Sequence, residues 1–168
     1  WPVQAQAAEL PIQSRAALLM EKTTGQVLYA RNEHEQLEPA SVTKVMTLLL
    51  VMEAVDSGRL SLDESVPVSA HAAGMGGSQV YLKEGERLSV SDLIKCVAVV
   101  SGNDCAVALA ERLSGSESAF VDQMNQKAQA LGMEDTHFVN PSGLHDPDHY
   151  TSAWDLYLIT KAAMQYPE

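Results

Sequence analysis

Apolar positions fall along this 168-residue chain in groups that separate strands from helices. Residues 15–20 and 26–30 are short apolar runs with Gly25 between them, the pattern of a β-hairpin. The run Val45-Met46-Thr47-Leu48-Leu49-Leu50-Val51-Met52 is apolar on every side. It predicts a central buried helix over about 42–57, ended by Gly58. Short extended pieces are expected at 66–69 and 79–82, with a flexible Gly-rich loop at 74–78 between them. That loop has no phosphate-binding Lys and opens no helix, so it is not a phosphate cradle. Further helices are expected at about 91–100, 104–113 and 118–131, then an extended piece at 136–139. A last helix is expected over 153–165, with Ser152 as its N-cap and Asp155 closing a capping box. No internal repeat or low-complexity stretch interrupts this order.

Candidate chemistry sits at the start of the central helix. In Ser41-Val42-Thr43-Lys44 the serine and lysine are three residues apart, so they share one helix face. A serine hydroxyl is a weak nucleophile until a nearby base takes its proton. A lysine can be that base where burial or a neighbouring cation lowers its pKa. The partial positive charge of a helix N-terminus adds support for an alkoxide or oxyanion. Taken alone, the tetrad also fits a plain helix cap beside a solvated lysine.

A second polar break lies at Ser101-Gly102-Asn103, between the apolar helices expected at 91–100 and 104–113. Gly102 lets the chain turn. Ser101 and Asn103 would cap the second helix, or pass a proton and hold a substrate amide. Buried helices on both sides would hold this corner against the core.

Ser41-Val42-Thr43-Lys44 followed by Ser101-Gly102-Asn103 resembles the first two of three motifs of the serine penicillin-binding proteins and β-lactamases. The resemblance is strongest to the low-molecular-mass D-alanyl-D-alanine carboxypeptidases, peptidase family S11. Glu21 to Tyr29 is similar to that family's opening hairpin. Asn140-Pro141-Ser142-Gly143-Leu144 and Thr151-Ser152-Ala153-Trp154-Asp155-Leu156 are similar to its later loop and helix start. The resemblance implies an α+β, DD-peptidase/β-lactamase-like fold, here its helical region plus the first β-hairpin. It places residues 14–168 in the N-terminal portion of the catalytic domain and leaves 1–13 as an extended leader. It also implies Ser41 as nucleophile, Lys44 as base and Ser101 as proton relay, all catalytic, with Asn103 binding substrate. The implied substrate is a peptidoglycan stem peptide, cut at its terminal D-alanine through an acyl-enzyme, and β-lactam antibiotics would acylate the same serine. No metal or organic cofactor is implied. The nearer rival is a β-lactamase, against which stands the absence of an evident Glu-x-x-x-Asn deacylation loop. The more distant rival is a non-catalytic penicillin-recognising domain, in which Ser41 or Lys44 would be replaced.

The family's third motif, Lys-Thr-Gly on a strand, does not follow the tetrad. Lys22-Thr23-Thr24-Gly25 precedes it and reads as the hairpin turn. The expectation is therefore a sheet edge left open by the missing strands, covered by a second chain or a swapped copy.

Charge and remaining residues narrow the function classes. With 22 acidic against 11 basic residues the net charge is -11, which excludes the basic footprint of a nucleic-acid binder. Ala5-Gln6-Ala7 resembles the end of a secretory signal peptide. With the family resemblance it implies an extracytoplasmic protein, secreted or peripheral on the outer face of the cytoplasmic membrane. Cys96 and Cys105 flank the Ser101 break and read as two buried free thiols, with a disulfide as the alternative. His145-Asp146-Pro147-Asp148-His149 offers two imidazoles and two carboxylates. Its Pro denies it a helical ligand face, so a solvated loop is expected there rather than a metal site.

Overall fold

The computed structural model describes residues 11–166. The Ala5-Gln6-Ala7 stretch and most of the expected leader lie outside the described residues.

Strands β1 (Ala17–Met20) and β2 (Val27–Arg31) form the antiparallel hairpin, pairing Ala17 with Arg31 and Leu19 with Tyr29. The Glu21 N–H donates to the Gln26 carbonyl at 2.8 Å, and Gly25 turns the chain at φ +71°. Among the described residues neither strand has a second partner, and Leu19, Val27 and Leu28 stand about half exposed.

Helix α1 (Lys44–Asp56) is the centre of the molecule. Its apolar-all-round sequence is explained by two cores, one on each side. Val51 and Ala54 join Leu93 and Val97 of α3 (Val90–Val100) and Val107 and Leu109 of α4 (Asn103–Ser114). Met46, Leu49 and Leu50 join Phe120 and Met124 of α5 (Glu117–Ala130), Phe138, and Ile159 of α6 (Ala153–Ala163). Burying each of these large side chains is worth about 1.5–3 kcal/mol, so α1 is held from both sides independently of its helix propensity.

Several expectations need correction. The central helix does not begin as α-helix at residue 42. A 3-10 turn, Ala40–Thr43, carries Ser41, and the α-helix starts at Lys44. Residues 79–82 are not a strand. Instead β3 (Ser65–Pro67) pairs with β4 (Arg87–Ser89), and a short helix α2 (Ala70–Ala73) follows β3. At three residues, Arg87-Leu88-Ser89, β4 is too short for its polar–apolar alternation to mark it as a strand. Helix α6 is capped by Ser152 Oγ, which accepts from the Asp155 N–H at 3.1 Å. The capping box is not closed. Asp155 instead accepts from the Asp135 N–H and Thr136 Oγ1, half-buried loop donors beside it.

Candidate active site

The 3-10 turn at the head of α1 sets up the tetrad. Ala40 is held at φ +46°, an unusual conformation for a residue with a Cβ. The chain then winds so that Ser41 is exposed while Thr43 and Lys44 turn inward. Lys44 Nζ lies 3.3 Å from Ser41 Oγ, and Lys44 is only 4 % exposed. Burial lowers its pKa from 10.5 to about 8. Burial alone accounts for this shift; the cationic neighbour invoked as an alternative cause contributes nothing among the described residues. At pH 7 the neutral fraction rises from roughly one in three thousand to about one in ten.

The loop over 139–149 closes on this turn. Lys44 Nζ donates to the Ser142 carbonyl at 2.6 Å, and Thr47 Oγ1 donates to the Pro141 carbonyl at 2.7 Å. Asn140 folds the loop, its Oδ1 accepting from the Gly143 N–H at 2.7 Å and its Nδ2 donating to the Leu144 carbonyl at 2.9 Å. With one proton on the Ser142 carbonyl, neutral Lys44 can turn its lone pair to Ser41 Oγ.

At the second corner, Ser101 ends α3 in the left-handed conformation at φ +61°. Its buried Oγ has no hydrogen-bond partner among the described residues. A buried unpaired hydroxyl costs about 1–3 kcal/mol, and Ser114 Oγ is unpaired in the same way among the described residues. Asn103 Nδ2 donates to the Gly76 carbonyl at 2.7 Å, and the Asn103 N–H donates to the Ser78 carbonyl at 2.7 Å. The Gly-rich stretch, expected as a flexible loop, is thus tied to the corner. Asp104, fully buried, completes the tie by accepting from the Val80 and Leu82 N–H groups, each at 3.1 Å.

The two corners meet through two glycines. A Cβ on Gly77 would stand 2.7 Å from Asn103 Nδ2 and 3.4 Å from Leu144 Cδ2. A Cβ on Gly143, the next residue back, would stand 3.0 Å from the Ser41 nitrogen. Asn103, Gly77, Leu144, Gly143 and Ser41 therefore form one contiguous stretch. No direct hydrogen bond links Ser101 or Asn103 to Ser41 or Lys44 among the described residues.

The His145–His149 cluster divides, contrary to the expected solvated loop. His145 is exposed beside Glu38, whereas His149 is 2 % exposed and packs against Phe138. Its Nε2 is 2.7 Å from Thr43 Oγ1, and its Nδ1 accepts from the Val139 N–H at 3.0 Å. Among the described residues no three His, Cys, Asp or Glu side chains come together to hold a metal. Cys96 and Cys105 are free thiols, Cys96 half-buried and Cys105 buried. Burial, with Asp104 and Cys96 beside it, pushes the Cys105 thiol well above its usual range, which makes it a poor nucleophile.

Sequence reasoning assigned no site role to Ser142, Gly143, Asp104 or His149. The resemblance to the family's later loop singled out the first two. The others act through partners far away in the chain.

The helical core thus presents an exposed Ser41 beside a buried Lys44. Residues 3–168 match the peptidase S11 family, described as D-alanyl-D-alanine carboxypeptidase, and the chain belongs to that family. It is 48 % identical over 159 residues to D-alanyl-D-alanine carboxypeptidase DacF of Bacillus subtilis, covering 95 % of this chain and 41 % of that protein. The crystal structure of D-alanyl-D-alanine carboxypeptidase DacD from Francisella tularensis superposes with a TM-score of 0.94 at 39 % identity. It covers 100 % of this chain and 41 % of that one. Penicillin binding protein 5 from Haemophilus influenzae superposes with a TM-score of 0.93 at 35 % identity, covering 97 % of this chain and 48 % of that one. The chain thus spans about two fifths of the curated relative it matches. The α+β fold expected from the motifs is the fold of these neighbours.

Proposed function

We propose that the intact protein is a serine D-alanyl-D-alanine carboxypeptidase that trims the terminal D-alanine from peptidoglycan stem peptides. The observation that carries this is the exposed Ser41 Oγ, 3.3 Å from a buried Lys44 Nζ whose pKa is lowered to about 8. In this reading Ser41 Oγ attacks the carbonyl carbon of the penultimate D-alanine while Lys44 takes the hydroxyl proton. The Ser41 N–H, at the positive end of the 3-10 turn and α1, supports the oxyanion. The C–N bond then breaks, Ser101 relays the proton to the leaving D-alanine amine, and an ester remains on Ser41. Water hydrolyses that ester and restores the hydroxyl. Asn103 holds the substrate amide. The reaction needs no metal or organic cofactor.

The relatives' names, one of them a penicillin binding protein, support β-lactams as ligands that acylate the same serine. They support work outside the cytoplasmic membrane, secreted or peripheral on its outer face, where peptidoglycan is found. Among the described residues no helix is long and apolar enough to cross a membrane. The unpartnered outer edges of the hairpin are proposed to be covered by further polypeptide of the family fold, in a second chain or a swapped copy where it is not in this one. Intact mass with and without penicillin tests the whole reading. One adduct of the mass of the antibiotic is expected on the natural protein and none on Ser41→Ala. Full labelling of that variant removes Ser41 from its role.

A further inference from the structure

The buried ring of His149 is not accounted for by the acyl-transfer chemistry. Both its nitrogens are engaged, and their partners settle its protonation. The Val139 N–H is only a donor, so Nδ1 is the bare acceptor at 3.0 Å. The ring proton of a neutral imidazole then sits on Nε2, which donates to Thr43 Oγ1 at 2.7 Å. Thr43 is fully buried, one residue before Lys44 and two after Ser41. Val139 lies at the start of the loop whose Ser142 carbonyl accepts from Lys44.

We propose that His149 is a positioning residue. As a neutral Nε2–H ring it ties the 139–149 loop to Thr43 and so keeps the Ser142 carbonyl on Lys44 and water away from that amine. This rests on the reading of Ser41 and Lys44 as nucleophile and base.

Without the strut, the loop keeps the Thr47 bond to Pro141 but loses its anchor beside Lys44. Water then reaches Nζ. Since burial alone lowers the Lys44 pKa, partial hydration moves it back toward 10.5. A charged ring breaks the strut in the same way, because a proton on Nδ1 faces the Val139 N–H donor. The ionisable groups acting on the ring are Asp146 on its own loop and His137 on the segment that precedes Phe138. Asp146 favours the charged ring and His137 opposes it. Burial outweighs Asp146 and holds His149 below its usual range, so the strut is intact at neutral pH.

The test uses the intact protein, with acylation by a fluorescent penicillin followed from pH 5 to 10. In the natural protein the rate falls tenfold per pH unit below about 8, as Lys44 is protonated, with an additional drop of about threefold across the range where His149 also charges. His149→Ala moves the Lys44 midpoint upward by on the order of half a unit. His149→Gln keeps a donor toward Thr43 and cannot titrate, so it restores the midpoint and abolishes the additional acid drop. Nitrogen-15 NMR of the natural protein at pH 7 shows the Nε2–H tautomer. An unmoved midpoint in a folded His149→Ala protein overturns the proposal. So does an Nδ1–H or charged ring at pH 7, or an additional acid drop of the same size that persists in His149→Gln. If His149→Ala does not fold, the tautomer and the His149→Gln profile decide. If the natural protein takes no penicillin, the acyl-enzyme reading falls on its own. NMR titration of the Lys44 side chain in the natural and His149→Gln proteins then still decides the role of His149.

Discussion

Gly143 is packed against Ala40 so closely that a Cβ on it would stand 1.8 Å from the Ala40 carbonyl oxygen. Gly143 also has φ +85°, where side chains are strained. Backbone thus meets backbone directly behind Ser41, and the conformation of Ala40 and the seat of the 140s loop are set together.

Gly143→Ala therefore has no room to be absorbed. The expected outcome is a fall in penicillin acylation of on the order of a hundredfold or more, as misplacement near reacting groups produces. The same substitution at exposed Gly132, φ +75° with open space around it, costs strain but leaves acylation intact. Acylation rates and melting curves of the two variants check the contrast.

The lowered pKa of Lys44 sets the pH response. Below about 8 the amine is protonated and cannot accept the Ser41 proton, so acylation rises with pH to a plateau above about 8. The same shift has a stability sign. The unfolded lysine holds its proton up to 10.5 and the folded one only to about 8, so the unfolded state binds more protons in that window. Stability therefore gains from this residue as pH rises from 8 to 10.5. Urea midpoints across that window rise less in Lys44→Met than in the natural protein.

Asp104→Ala strips the acceptor from the Val80, Leu82 and Cys105 N–H groups at once. The expected cost is about 2 kcal/mol or more, since buried donors are left unpaired. Hydrogen exchange should quicken at residues 76–82, and Asn103, bonded to Gly76 and Ser78, should loosen with them. Slower acylation with a normal Lys44 midpoint separates this effect from one on the base.

Thr47→Val keeps the shape of a buried residue and removes its hydroxyl. The Pro141 carbonyl, which accepts from Thr47 at 2.7 Å, is then unsatisfied. A loss of about 1–3 kcal/mol in chemical unfolding is expected.

Much of this was legible along the chain. The apolar run of α1 announces a helix buried on every side, and two cores flank it. Ser152 announces the start of α6, and its hydroxyl caps it. These signals are local, because helix faces and caps are set by residues three or four apart. The spacing of Ser41 and Lys44 is of the same kind, so the pair was visible before the fold was.

What the chain did not show depends on partners far apart in sequence. Ser142 meets Lys44 across 98 positions, and His149 meets Thr43 across 106. No period or cap encodes such bonds, and the His145–His149 stretch has the composition of a surface loop although one of its histidines is buried. The Gly-rich stretch at 74–78 has the composition of a free loop, yet the Asn103 amide and the Asp104 carboxylate hold it and the segment that follows. The amino-acid sequence by itself determined the helices, the hairpin and the reactive pair, because each is built from near neighbours. Only the tertiary structure decided that Lys44 is dry, with its pKa lowered to about 8, and which loop carbonyl it meets. Desolvation is set by whatever packs around a side chain, and here that is chain drawn from the other end of the described fold.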